Sequence, residues 1–395
     1  MNDNLLYKFI KIIFHACQVE LLHFFRDDAL RGTLLTSGFI VIFLNSTVYS
    51  HEIIEDVPIT IVDLSKGSMS RNLIRMLDAT QQVDVLAVSN DMSEAKKQFK
   101  QGKVFGILVI PEDFEQKISI GQQSSLSLYS DASNMLHNKA ISGAASSVTG
   151  AFNAQLEINK TLHSGLNYDN STHSRRAVIP VSRMIFNPYG GYATFLIPVV
   201  LLVVLQALLL TSIGVLGGTF REQGKYFTRY KFYESVPIKI IPILLGRALA
   251  YLLLSILLFS AICGTAFLIF KLPFRASYWD VIVFLIPFFL AVIFLGFSLM
   301  GIFKRREDAA MSITFLSTPA VFLSGISWPS VAFPAWVNVL SYAFPSTLGA
   351  RGFLAISQFQ SQLGDIKTLW GQMWITAIFY FIIAVLVNYR LKISR

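Results

Sequence analysis

FLSGISWPSVAFPAWVNVLSYAFPSTLGARG, running from Phe322 to Gly352, is the stretch whose reading decides the fold. An apolar helical run ends at Ser324-Gly325, and Pro329, Pro334 and Pro345 follow, with Trp328 and Trp336 among them. Each proline removes a backbone donor and turns the residue before it away from helix. Almost every side chain around these breaks is nevertheless apolar or aromatic. Such a segment is too hydrophobic for a water-facing loop and too broken to span a bilayer, so it reads as one that dips into a membrane and returns. Backbone of that kind survives only where protein buries it or where it lines a wet cavity, which suits a transport protein.

The rest of the chain agrees with a membrane setting. Its 395 residues are 53% hydrophobic and only 14% charged, with a mean hydropathy of +0.55, against about 25% charged residues in a soluble domain. The net charge of +9 invites a nucleic-acid reading, but the basic residues mostly flank apolar runs. That is how membrane topology is written in sequence, and nucleic acid is set aside as a partner. Cys17 and Cys263 lie far apart and support neither a disulfide framework nor a metal cluster.

From Leu5 to Phe25, Lys8, Lys11, His15 and Gln18 recur at helical spacing on one face, opposite Leu6, Phe9, Ile10, Ile13 and Phe14. The run reads as an amphipathic helix lying in the cytoplasmic interface, the alternative being the first turns of one long spanning helix. Gly32 to Ser50 is the first span, at the short end of the roughly 20 residues required. Val57 to about Ile185 changes character. Strand-like runs at Ile59–Ser65, Val83–Ser89, Val104–Pro111 and Ser125–Ser133 alternate with helical segments at Lys66–Ala79 and Met92–Gln101. This predicts an α/β domain with a parallel or mixed sheet. A long helix from Asn134 carries the stripe Ile141, Ala145, Val148, Phe152, Leu156, Leu162 and Leu166. Five more spans follow: Tyr192–Thr219, about Ile240–Phe270, Val281–Phe303, Ala309–Ser324 and Gly371–Tyr389.

Lysines and arginines cluster between the second and third spans, between the fourth and fifth, and at the C-terminus. The positive-inside rule then puts both termini in the cytoplasm and the α/β domain outside. All five tryptophans (Trp279, Trp328, Trp336, Trp370 and Trp374) fall near the outer face, as an interfacial belt requires. The expected fold is an α-helical integral membrane protein with six transmembrane helices. An N-terminal interfacial helix and first span occupy 1–50, an external α/β domain 51–188, and a five-helix transmembrane domain 189–395. The last includes a cytoplasmic loop (219–239) and a re-entrant helical segment (325–352).

The loop Arg221 to Lys239 is the second informative stretch. A solvated basic loop would hold topology, but Tyr226, Phe227, Tyr230, Phe232 and Tyr233 are too many aromatics for plain solvent. A segment that docks on a partner fits better. No GxxxxGK[ST] loop occurs in the sequence, and the spans lack the Asp, Glu or His of an ion-coupled pump. Arg247 is the one ionisable side chain of note in these runs, near enough to an end to snorkel, while Gln206 and Asn388 read as helix-packing groups. Asp63, Asp84, Asp113 and Asp131 lie near strand ends and read as caps and turns. A chain without an energy source borrows it from another subunit or conducts passively, and the spans show no polar ring for a channel.

The pattern resembles the ABC type-2 permeases, the membrane subunits of ABC exporters, in the bacterial branch with a large periplasmic domain. Arg221-Glu222-Gln223-Gly224, then Val236-Pro237 and Gly246-Arg247, is similar to that family's cytoplasmic signature. Gly325, Pro329, Phe333-Pro334, Trp336 and Pro345-Ser346 are similar to its second, outward-facing signature. The resemblance implies ATPase-coupling residues at Arg221, Glu222, Gly224, Tyr226, Phe227, Glu234 and Pro237. It also implies an exit segment at Gly325, Pro329, Pro334, Trp336 and Pro345. Lys225, Tyr226 and Phe227 depart from the Thr and aliphatic residues the family often has there.

The implied partners are two copies of an ABC ATPase subunit, a second permease (identical or a sister), a periplasmic adaptor with an outer-membrane channel, and the lipid bilayer. ATP and Mg would be bound by the ATPase, this chain holding no cofactor, metal or catalytic residue and being no enzyme itself. The setting would be a bacterial inner membrane, the path would be lined by the first, second and fifth spans, and the cargo would be amphipathic or hydrophobic. The alternative from another class is an envelope receptor or scaffold whose external domain binds a protein.

Overall fold

Where an α-helix is apolar on every side, something other than water must cover it, and four helices among the described residues have that character. The computed structural model describes residues 3–48, 54–163, 192–226, 240–269, 274–359 and 361–393. The chain divides into two compact units, one formed by Met1–Ser50 with Ile185–Arg395 and the other by His51–Met184.

In the first unit, α1 (Asp3–Arg26) and the short α2 (Asp28–Arg31) lead through a π-helical turn (Gly32–Ser37) into α3 (Gly38–Val48). α1 has three faces rather than two. Lys8, Lys11 and Gln18 are exposed on one, Leu6, Ile10 and Phe14 are exposed on a second, and Ile12, Ala16, Glu20 and Phe24 are buried on the third.

The second unit is built on a four-stranded mixed sheet of β1 (Val57–Asp63), β2 (Val83–Ser89), β3 (Gly106–Ile110) and β4 (Ser127–Ser130). The strand order is β2-β1-β3-β4. β1 runs parallel to both neighbours, with Val57 beside Val83 and Ile59 beside Gly106, while β4 is antiparallel to β3. The helices are α4 (Ser68–Asp78), α5 (Met92–Lys100), α6 (Phe114–Ser119) and α7 (Met135–His163). Ile59, Ile61, Leu73, Leu77, Ile141 and Phe152 form the core on one sheet face, and Val62, Ala95 and Ile107 the core under α5 on the other. Of the expected stripe on α7, Ile141, Val148 and Phe152 are buried, Leu162 is exposed, and Leu166 lies outside the described residues. Sequence reading missed α6, whose six residues are too few to show a period. Asp63 accepts the Ser65 and Lys66 amides and the Ser70 hydroxyl, and Asp131 accepts from Ser133. Both are turn groups.

Glu115 of α6 reaches across to α4. Its Oε1 accepts the Ser68 hydroxyl at 2.7 Å and the Ser68 and Met69 amides at 2.9 and 3.1 Å, satisfying donors that a helix start leaves open. The Ser68 hydroxyl, then the Met69 amide, hold the carboxyl below its ordinary range. A depressed carboxyl contributes stability that is present above its unfolded pKa and is lost as pH falls through the folded value. Amide exchange at Ser68 and Met69, corrected for intrinsic rates, should therefore rise as the pH is lowered through the acid range. Glu115→Gln should flatten that response, and an unchanged response in the variant would assign it to another group.

The first unit continues with α8 (Tyr192–Glu222), α9 (Ile240–Gly264, extended by a π turn at Thr265–Ile269), α10 (Tyr278–Leu299), α11 (Arg306–Leu323), α12 (Ala335–Ser341), α13 (Pro345–Phe359) and α14 (Lys367–Ile393). α10 is the central helix, with Val281, Phe284, Leu285, Phe288, Phe289, Val292 and Phe297 all inaccessible. α14 buries Met373, Ala377, Tyr380, Ala384 and Asn388 along one stripe and exposes Ile375, Ile378, Phe379, Ile382 and Leu386 on the other side. A soluble helix would carry polar groups there; this outer face is made for lipid.

Among the described residues, four helical stretches are long and apolar enough to cross a bilayer: Thr194–Glu222, Ile240–Leu268, Tyr278–Leu299 and Lys367–Lys392. The other two expected spans are shorter or more polar. Helix from Gly32 to Val48 falls below about 20 residues, and the 18-residue α11 begins with Arg306, Glu307 and Asp308.

Candidate functional site

At the end of α8 the chain turns sharply. Gly224 has φ +65°, a conformation cheap for glycine alone. The Lys225 amide donates to the Phe220 carbonyl at 2.8 Å and the Gly224 amide to that of Arg221 at 3.0 Å, the paired bonds of a Schellman motif. Glu222, Gln223, Gly224 and Lys225 form an exposed turn. Its base is tied inward. The Arg221 guanidinium donates to the Met300 and Phe303 carbonyls, open acceptors at the end of α10. Glu222 Oε1 accepts the Arg306 amide at 3.0 Å, capping α11, and Arg306 pairs with Asp27 at 3.3 Å. One short stretch thus holds α8, α10, α11 and the α1–α2 junction.

Tyr226, immediately after the turn, is buried, with 2% of its surface exposed. Its hydroxyl donates to Asn388 Oδ1 of α14 at 2.9 Å and accepts from Arg247 Nη1 at 3.0 Å. Arg247 Nε donates to Glu20 Oε1 of α1 at 3.1 Å, and these two ion-pair side chains are 2% and 1% exposed. The guanidinium carbon lies 4.5 Å from the Phe297 ring centroid and 5.3 Å from that of Tyr226, within the range of cation–π attraction. Asn388 completes its own bonding with the Ala384 carbonyl at 2.8 Å. Four segments far apart in sequence meet at this cluster.

Two sequence expectations change here. Arg247 does not snorkel; it points inward because an acid on α1 and two aromatic faces compensate its desolvation. Tyr226 is not an exposed docking aromatic; its ring is committed to Arg247. Gly246 explains why the pair can form. A Cβ built there would stand 2.3 Å from the Ile13 carbonyl oxygen and 2.7 Å from the Ala16 Cβ, so only glycine lets α1 lie against α9 closely enough for Glu20 to reach. Glu20 escaped sequence reading, although it is the sole acid between Asp3 and Asp27. Phe227, Glu234 and Pro237 lie outside the described residues, as do Tyr230, Phe232 and Tyr233.

The proline-broken stretch lies elsewhere in the same unit. Gly325, with φ +88°, turns the chain out of α11. Pro329 precedes a 3₁₀ turn (Ser330–Ala332), Pro334 precedes α12, and Pro345 is the first residue of α13. Each proline stands where a helix begins, the position at which its missing amide costs least. The Ser346 amide donates to Gln206 Oε1 of α8 at 2.8 Å, and the Thr347 hydroxyl to the Leu323 carbonyl at 3.2 Å. Gln206 is thus a cap between helices. Trp328, Val331, Trp336 and Val339 are exposed, an apolar surface that water does not favour.

The model for a family described as ABC-2 family transporter protein matches residues 32–386. Two curated relatives, each described as "Probable multidrug ABC transporter permease YbhR", come from Escherichia coli strain K12 and Escherichia coli O157:H7. Each is 21% identical over 365 residues, covering 90% of this chain and 91% of its own length. With its long apolar helices and inserted mixed-sheet unit, the chain belongs to the ABC-2 family of membrane transport proteins.

Proposed function

We propose that this chain is the permease subunit of an ABC exporter, moving an amphipathic or hydrophobic molecule out of the cytoplasm or inner leaflet with energy from a separate ATPase subunit. The observation that carries this reading is the exposed turn Glu222–Lys225, joined through buried Tyr226 to Arg247, Glu20 and Asn388. A push on that turn has a stiff path into α1, α9 and α14. Two ATPase subunits would supply it, one for each permease of a pair.

In this reading α3, α8, α9, α10, α11 and α14 are the six spans. Both termini and the turn at Glu222 face the cytoplasm, and the sheet-bearing unit faces the periplasm of a bacterial inner-membrane protein. α1 would lie in the interface, its exposed Leu6, Ile10 and Phe14 in lipid and its Lys8 and Lys11 toward headgroups. The segment Gly325–Gly352 would shape the outer exit. An adaptor and outer-membrane channel would receive the cargo, and the relatives' printed multidrug description favours a drug-like or lipid-like one.

Reversing charge on the turn tests the reading without disturbing the core. Lys225→Glu, at an exposed position, should lower permease-dependent ATP turnover of the purified complex by about tenfold, corresponding to about 1.4 kcal/mol. The thermal unfolding of the chain alone should stay unchanged. If ATPase co-purification and turnover both match wild type, the coupling assignment fails and a receptor or scaffold role gains.

A further inference from the structure

The sheet-bearing unit contains a cavity of about 750 Å³ beside α7, within the range of about 300–1,000 Å³ that small-molecule sites occupy. Its floor is apolar and built from the core itself: Leu73 and Leu77 of α4, Leu108 of β3, Phe114 of α6 and Phe152 of α7. The Phe114 and Phe152 rings stack with centroids 6.0 Å apart and planes 27° from parallel. Its rim is polar, with Gln122, Gln123 and Ser124 on one side and Asn153 and Glu157 of α7 on the other.

Three details separate this cleft from a packing fault. The Ser124 hydroxyl oxygen is buried without a hydrogen-bond partner, the kind of group a fold keeps when a ligand satisfies it. Gly150 stands at the rim in the interior of α7, where glycine weakens a helix, and a Cβ there would meet nothing within 4 Å. No close approach demands that glycine; what it keeps is open space. Among the described lining residues Glu157 is the ionisable one, and no lysine, arginine or histidine lines the cavity with it.

We propose that this cavity is a binding site for a small amphipathic molecule with a flat apolar body and an uncharged or cationic head. The body fits against Phe114 and Phe152, and the head meets the amides of the rim and the Glu157 carboxylate. An anionic amphipath finds no counter-charge among the described lining residues. The site rests on this unit alone and stands whether or not the chain couples to an ATPase.

The full chain in nanodiscs of zwitterionic lipid would be photolabelled with three aryl-azide probes: a cationic rhodamine, neutral azidopyrene and an anionic naphthalene sulfonate. Cation and pyrene should give saturable labelling of the peptides spanning 122–128 and 145–157, with the sulfonate weaker by about tenfold. Gly150→Trp, whose Cβ has free space and whose ring would reach over the rim, should cut labelling by both probes about tenfold. Glu157→Gln should weaken the cation by about threefold and leave pyrene unchanged. The proposal is overturned if labelling at these peptides does not saturate, if it is confined to 192–393, if Gly150→Trp labels like wild type, or if the sulfonate labels as well as the cation.

Discussion

Arg247→Met should destabilise the folded chain by about 3 to 5 kcal/mol, because removing one partner of a buried ion pair strands the charge of the other. The group left behind is Glu20, which is 1% exposed. Tyr226 would lose the donor to its hydroxyl at the same stroke. Glu20→Met alone should cost a comparable amount, since it leaves a guanidinium that is 2% exposed. The double variant Glu20→Met/Arg247→Met should recover most of either loss, because two thioethers fill the volume without a charge to solvate. Arg247→Lys should fall between. It keeps the charge, but a point ammonium cannot serve Glu20 and Tyr226 together while stacking on Phe297. Unfolding of wild type, the two methionine variants and their double in detergent micelles, read as a double-mutant cycle with Arg247→Lys alongside, checks this. Additive losses for the two methionine substitutions would mean that the pair is not energetically coupled.

What the sequence made legible follows from how local each signal is. Strands of the inserted unit are runs rich in valine and isoleucine between turn residues, and β2 falls on Val83–Ser89 as the pattern implied. The prolines of the broken stretch mark helix starts because that preference belongs to the residue itself. Arg247 could not be read that way. Snorkelling weighs an arginine against its own helix, and the group that decides its direction sits 227 residues away. The signal on α1 was present at spacing four in Ile12, Ala16, Glu20 and Phe24, but a polar stripe and an apolar stripe on the same helix obscured it. Tyr226 was misjudged for a related reason. Counting aromatics in a charged loop assigns them one environment, whereas the first of them follows a Schellman turn that sends it inward. The cavity beside α7 is a gap between elements distant in sequence, and no window along the chain encloses it.

Gly246→Leu should have the second large effect, and its origin is steric. The nearest obstacle to a side chain there is the Ile13 carbonyl oxygen, 2.3 Å from an ideal Cβ, and a backbone atom cannot rotate away as a side-chain end can. Overpacking of this kind costs about 1 to 3 kcal/mol where the surroundings resist; here the yielding part is α1 as a whole. A helix shifted by even one carbon diameter takes Glu20 out of reach of Arg247, so the steric loss brings part of the ionic loss with it. Gly246→Ala isolates the first contribution. Replacing a helix-interior glycine by alanine should stabilise by about 1 kcal/mol where space is free, and Gly143→Ala in α7, with nothing within 4 Å, should show that gain. Gly246→Ala should show a loss instead. The sign difference between two identical substitutions is the decisive reading. Because Gly246→Leu already weakens the Arg247–Glu20 contact, adding Arg247→Met should cost less than it does in wild type. If the proposed coupling role holds, Gly246→Leu should also reduce cargo-stimulated ATP turnover of the complex more than basal turnover, since the displaced α1 would no longer receive motion through Tyr226. Full additivity of the two substitutions, with stimulation intact, would separate the packing of α1 from the proposed coupling path and leave the glycine a purely structural role.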